Sequence, residues 1–126
     1  MEDREIRAAL DRHWAASDAN DFEVEHQIYR DDAVLEYPQS GERIRGRHNI
    51  QASRFAQPNE KRFTVRRILG AAGLWVSEFT LTYDGQPSYV VSIMEFQDGK
   101  VARETQYFSD AFAPGPSRAQ WVERMA

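Results

Sequence analysis

Two Asp-Gly dipeptides, Asp84-Gly85 and Asp98-Gly99, constrain this 126-residue chain more than any other feature, because each sits between runs of β-forming residues. Asp-Gly is a preferred two-residue hairpin loop, since both positions of a type I′ turn require positive φ. With Ala72-Gly73 as a third break, the second half reads as four strands near 61–71, 74–84, 87–97 and 100–110, joined as an antiparallel meander. Along 75–83, Trp75, Ser77, Phe79, Leu81 and Tyr83 alternate with Val76, Glu78, Thr80 and Thr82. The first set faces a core; the second faces solvent or a partner subunit.

The first half is helical in pattern. Residues 3–19 place Ile6, Leu10, His13, Trp14 and Ser17 on one side of an amphipathic helix. Asn20-Asp21 breaks it, and Asp21 caps a second short helix carrying Phe22, Val24, His26 and Tyr29 that stops at Asp31-Asp32. Ala33 to Tyr37 is a short strand ended by Pro38, and Gln39 to Glu42 form a loop. From Gly46 to Gln57 a third helix turns Ile50, Arg54 and Phe55 inward. Beyond Pro114-Gly115-Pro116, a short terminal helix holds Trp121 and Val122. Helices followed by a meander give an α+β domain with the helices packed on one face of the sheet.

The last strand is unusual. It puts Glu104, Gln106 and Phe108 on one face and Arg103, Thr105 and Tyr107 on the other, so neither face is cleanly apolar. A sheet curled around a pocket accommodates such a strand, which makes Glu104 and Gln106 the first candidates for chemistry.

Composition narrows the function classes. Sixteen basic and twenty acidic residues give a net charge of −4, with the basic residues dispersed among acids, which argues against a nucleic-acid partner. No apolar run approaches the roughly 20 residues of a membrane helix, and the charged start lacks a signal-peptide core. A cytoplasmic location and no membrane association are expected. Without cysteine, disulfides and thiolate catalysis are excluded. The histidines His13, His26 and His48 lie on separate elements without metal-ligand spacing, so no metal and no cofactor is expected. His26 and His48 read as surface residues, and Trp75 and Trp121 as packing anchors.

Four segments in this order, His13–Asp21, Tyr29–Pro38, Gly46–Ile50 and Glu95–Val101 running into Gln106-Tyr107-Phe108, resemble the SnoaL-like branch of the nuclear-transport-factor-2-like superfamily. The resemblance covers roughly residues 5–112 of a single domain spanning 1–126, with 113–126 as a tail. It implies a cone-shaped, bent antiparallel sheet wrapped around the N-terminal helices, a deep pocket at the wide end, and a homodimer through the convex face of the sheet. The superfamily spans isomerases, polyketide cyclases, dehydratases, epoxide hydrolases and non-catalytic modules, so fold alone does not set function.

By the same resemblance, His13 takes the place of the oxyanion-binding tyrosine of ketosteroid isomerases. Tyr37 replaces their base aspartate and Met94 their protonated aspartate, so their mechanism does not carry over. Gln106 replaces the catalytic aspartate of limonene-type epoxide hydrolases. The pocket lining implied is His13, Trp14, Tyr29, Tyr37, Arg54, Phe79, Leu81, Met94, Phe96, Glu104, Gln106 and Phe108. An apolar cup with a few convergent polar groups suits a small hydrophobic ligand.

Each polar group has two readings. Glu104 is either a general base raised in pKa by burial or a structural partner of Arg54 or His13. His13 is either an acid/base or a packing residue. Arg54 either clamps an anionic oxygen or emerges at the rim. Gln106 either orients a ligand or bonds a helix, and Tyr29 and Tyr37 either donate to an oxyanion or satisfy the backbone. The expected function is cofactor-free acid/base catalysis of the cyclase, isomerase or dehydratase type on a carbonyl- or hydroxyl-bearing compound. Glu104, His13 and Tyr37 are the expected catalytic groups, and a binding or assembly module without turnover is the alternative.

Overall fold

The computed structural model describes residues 1–125. Its elements are α1 (Asp3–Asp18), α2 (Phe22–His26), β1 (Tyr29–Tyr37), β2 (Glu42–Arg45), α3 (Arg47–Ala56), β3 (Lys61–Ala71), β4 (Leu74–Tyr83), β5 (Gln86–Gln97) and β6 (Lys100–Asp110). The six strands form one curved, unclosed sheet in the order β2-β1-β6-β5-β4-β3.

The meander forms where its turn chemistry requires. Asp84, Gly85, Asp98 and Gly99 all have positive φ, as two type I′ turns demand, and each dipeptide alone links its two strands. Bulges at Arg66 on β3 and at Ala102 on β6, opposite Glu95 and Phe96 of β5, bend these long strands. The concave face of β4 buries Trp75, Ser77, Phe79 and Leu81, matching the alternation in the sequence.

Helix α1 buries Ile6, Leu10, His13, Trp14 and Ser17 against the sheet and α2, as its pattern predicts. Leu10, Leu35, Ile50, Met94 and Val101 make the centre of one core in which helices and sheet interleave. Burial of such side chains contributes roughly 1.5–3 kcal/mol each.

Several expectations are corrected. The sheet is mixed rather than antiparallel throughout, because β1 pairs in parallel with β6, with Leu35 beside Glu104. Parallel neighbours need a long crossover, and here β2, α3 and the meander supply it. Tyr29 opens β1 instead of closing α2, which ends at His26. Glu42 belongs to a four-residue hairpin arm, β2, rather than to a loop. Phe55 points outward at 72% exposure, since its neighbour Arg54 takes the inward face of α3, and its ring meets Phe22 at the surface. Among the described residues the terminal segment forms a 3₁₀ turn, Pro116–Arg118, rather than a longer helix, leaving Trp121 and Val122 exposed rather than anchored. Among the described residues, no helix is long and apolar enough to cross a membrane.

Candidate ligand pocket

Between α1, α2, α3 and the concave face of the sheet lies an open cavity of about 200 Å³. Its apolar wall is built from Trp14, Phe63, Phe79, Leu81 and Phe108, with Ile44 from β2. Trp14 is fixed by an Nε1–H bond to Ser77 Oγ at 2.9 Å and by packing against Phe79, with ring centroids 4.4 Å apart. Tyr37, Tyr83, Arg54, Gln57, Lys61, Glu25 and Gln106 bring polar groups to the same cavity.

Glu104 sits immediately behind this wall and is completely buried. Its Oε1 accepts from the Tyr29 hydroxyl at 2.5 Å and from Arg54 Nη2 at 3.1 Å. Its Oε2 accepts from Ser92 Oγ and, at 3.2 Å, from Gln106 Nε2. Strand pairing explains the convergence: Ser92 lies opposite Gln106, and Glu104 is two residues away on the same face. Burial pushes the Glu104 pKa up, yet Arg54, with the Ser92 and Tyr29 hydrogen bonds, outweighs it and holds the carboxyl below its ordinary value. Glu104 is therefore an ionised carboxylate at neutral pH.

Arg54 is the hub of the polar cluster. Its Nη1 donates to the Tyr29 hydroxyl at 2.8 Å and to His26 Nε2 at 3.2 Å, while Nη2 holds Glu104. The guanidinium also forms part of the cavity wall, so its charge is offset from behind and presented in front. Burial raises the Tyr29 pKa far above the usual phenol range and raises that of Tyr37, keeping both hydroxyls protonated as donors.

His26 is buried, not at the surface as its sequence context suggests. Its Nδ1–H donates to the Phe22 carbonyl at 2.6 Å, leaving Nε2 to accept from Arg54. Burial, reinforced by the Arg54 charge, lowers its pKa to about 4. His13 is likewise buried; its Nδ1–H donates to the Glu25 carbonyl at 2.6 Å, and Nε2 has no partner among the described residues. Burial lowers its pKa to about 4 despite the nearby Glu104 charge. His48 is exposed.

Seven of the twelve expected lining residues share the cavity: Trp14, Tyr37, Arg54, Phe79, Leu81, Gln106 and Phe108. Glu104, His13 and Tyr29 lie behind it, Met94 is part of the core, and Phe96 packs against that core part-buried. Glu25 and Lys61 were missed. Charged residues at a helix end and a strand start ordinarily read as solvated; only the Phe22 ring beside Lys61 and Ser17 beside Glu25 hint otherwise. The Ser17 hydroxyl donates to Glu25 Oε2 at 2.8 Å across the α1–α2 junction.

Residues 6–104 match the family model described as the SnoaL-like domain. The chain is similar, over 100% of its length and 99% of the other chain, to the crystal structure of an NTF-2 like protein of unknown function from Burkholderia xenovorans LB400, with 54% identity and a TM-score of 0.92. A protein described as a putative ketosteroid isomerase from Kribbella flavida DSM 17836 shares 28% identity and a TM-score of 0.90, covering 100% of this chain and 94% of its own. An LEH-like epoxide hydrolase of M. tuberculosis shares the fold, with 22% identity, a TM-score of 0.70 and 84% of each chain covered. No curated protein matches the sequence.

Proposed function

The chain belongs to the SnoaL-like family of NTF2-like proteins, and from that premise we propose that it binds a small carbonyl- or hydroxyl-bearing hydrophobic compound and moves a proton on it without a cofactor. Support comes from one arrangement above all: Arg54 and Gln106 reach the same aromatic cavity while both are held from behind by Glu104.

In this reading the ligand's oxygen meets the Arg54 guanidinium, with the Tyr37 hydroxyl and the Gln106 amide beside it, and its apolar body lies against Trp14 and Phe79. Charge growing on that oxygen, as in an enolate, is stabilised by donors already in place. Glu104 serves as the group that fixes Arg54, because four donors saturate it and it does not line the cavity. Glu25, a carboxylate on the wall, is the group with access to take the proton. His13 and Tyr29 support the cluster from behind. Isomerase, cyclase and dehydratase chemistry all begin with such a proton transfer.

Acetophenone is a suitable probe, with deuterium uptake at its methyl group in D₂O followed by proton NMR. The wild type accelerates exchange over buffer, and Gln106→Met and Glu25→Gln slow it by on the order of tenfold or more. A second reading, a binding module without turnover, is favoured by the saturation of Glu104. Binding of acetophenone without accelerated exchange selects it and removes the catalytic proposal.

The outer face of the sheet exposes Tyr89 on β5 and Tyr107 on β6. We assign to this face the pairing of two copies into a homodimer.

A further inference from the structure

The sequence contains two lysines, Lys61 and Lys100, among sixteen basic residues. Their environments are opposite. Lys100, at the start of β6, is exposed and donates to the Gln27 carbonyl at 2.5 Å. Lys61, at the start of β3, is 6% exposed and lines the ligand cavity. Its Nζ donates to the Arg54 carbonyl at 3.1 Å and lies 5.0 Å from the centroid of the Phe22 ring. Among the described residues it forms no ion pair, although Glu25 shares the cavity wall.

An amine that is withdrawn from water and near a second cation loses part of its preference for the protonated form. Burial is the main cause here and lowers the Lys61 pKa, while the opposing pull of Glu25 exceeds the smaller lowering by the Arg54 charge. The unprotonated amine is the nucleophile, and Lys61 is one of the residues that line the open cavity.

We infer that Lys61 is a covalent anchor for an aldehyde or ketone ligand, condensing with its carbonyl to form an imine inside the cavity. The inference rests on the reading of this cavity as a small-molecule site and narrows the ligand to the carbonyl class. The nitrogen lone pair attacks the carbonyl carbon, a C–N bond forms, and the carbonyl π pair moves to oxygen. One proton passes from nitrogen to that oxygen, giving a carbinolamine. The hydroxyl, protonated once more, leaves as water while the C=N bond forms, and the remaining N–H proton is released. Amine plus carbonyl gives imine plus water, with no oxidant or reductant. Glu25 is placed to shuttle these protons.

The test is reductive trapping on the full chain with benzaldehyde and sodium cyanoborohydride near neutral pH. Proteolysis and mass spectrometry then read benzylation at Lys61, Lys100 and the Met1 amine separately. Lys61 is expected to be labelled about tenfold faster than Lys100, and saturating benzyl alcohol, which has no carbonyl, is expected to protect Lys61 alone. Labelling of Lys61 no faster than of Lys100 overturns the inference. In that event, ligand-observed NMR with benzyl alcohol separates the two ideas. Binding that persists shows that only the amine role has failed, and absent binding shows that the cavity reading has failed with it.

Discussion

Arg54 on α3 and Glu104 on β6, fifty residues apart in the chain, meet inside the protein with Nη2 3.1 Å from Oε1. The carboxylate is fully buried and the guanidinium nearly so. Removing one partner from a buried pair strands the other charge without compensation. Glu104→Gln is expected to lower stability by roughly 3–5 kcal/mol in urea unfolding. Arg54→Met is expected to cost a similar amount, and the double variant less than the sum of the two. Additive losses would show that the residues do not depend on each other.

Acid should unfold this protein in a defined window. His13 and His26 have folded pKa values of about 4, below the ordinary 6.5, so between those values the unfolded chain binds more protons. Stability is then fully present above about pH 6.5 and falls as the pH drops toward 4, by on the order of 3 kcal/mol per histidine. Glu104, also lowered, adds a loss of the same sign as the pH falls below the usual carboxylate range. Urea midpoints measured from pH 7 to pH 4 check this. His26→Gln should flatten the profile, and an unchanged slope would refute the assignment.

At Gly85, φ is +83° and an added Cβ would touch nothing within 4 Å. Any cost of substitution there is conformational. Gly85→Ala is expected to destabilise by about 1–2 kcal/mol through the left-handed backbone alone, with no change in ligand binding. Urea unfolding combined with probe titration checks both halves of that statement.

If the outer sheet face joins two copies, Tyr107→Glu should dissociate them, because a carboxylate placed there is desolvated on association. Sedimentation velocity should show a dimer for the wild type and a monomer for the variant. Retention of the dimer would move the interface elsewhere.

The hairpins were legible because their turns are chemically local: an Asp-Gly pair carries its own φ requirement. The period of a strand put Glu104, Gln106 and Phe108 on one face, but with neither face cleanly apolar only the family resemblance implied that this face turns inward. The parallel seating of β1 on β6 was not legible, since it depends on a contact about seventy residues away in sequence that no local pattern encodes. Glu25, His26 and Lys61 were hidden for a related reason. Polar side chains read as solvated unless their partners are known, and here those partners are Ser17, Arg54 and the Arg54 carbonyl. Tyr29 fits the end of a helix as readily as the start of a strand, and its pairing with Val101 of β6, distant in sequence, separates the two.

The central claim is that Arg54, braced by Glu104, meets a ligand's oxygen inside the aromatic cavity. The most direct measurement is titration of acetophenone into ¹⁵N-labelled protein, following the Arg54 Nε–H and Trp14 indole resonances. Both should move together and saturably, with the Arg54 shift absent when toluene replaces the ketone. Resonances of Arg54 and Trp14 that stay fixed at saturating ketone, or that respond equally to toluene, would contradict it.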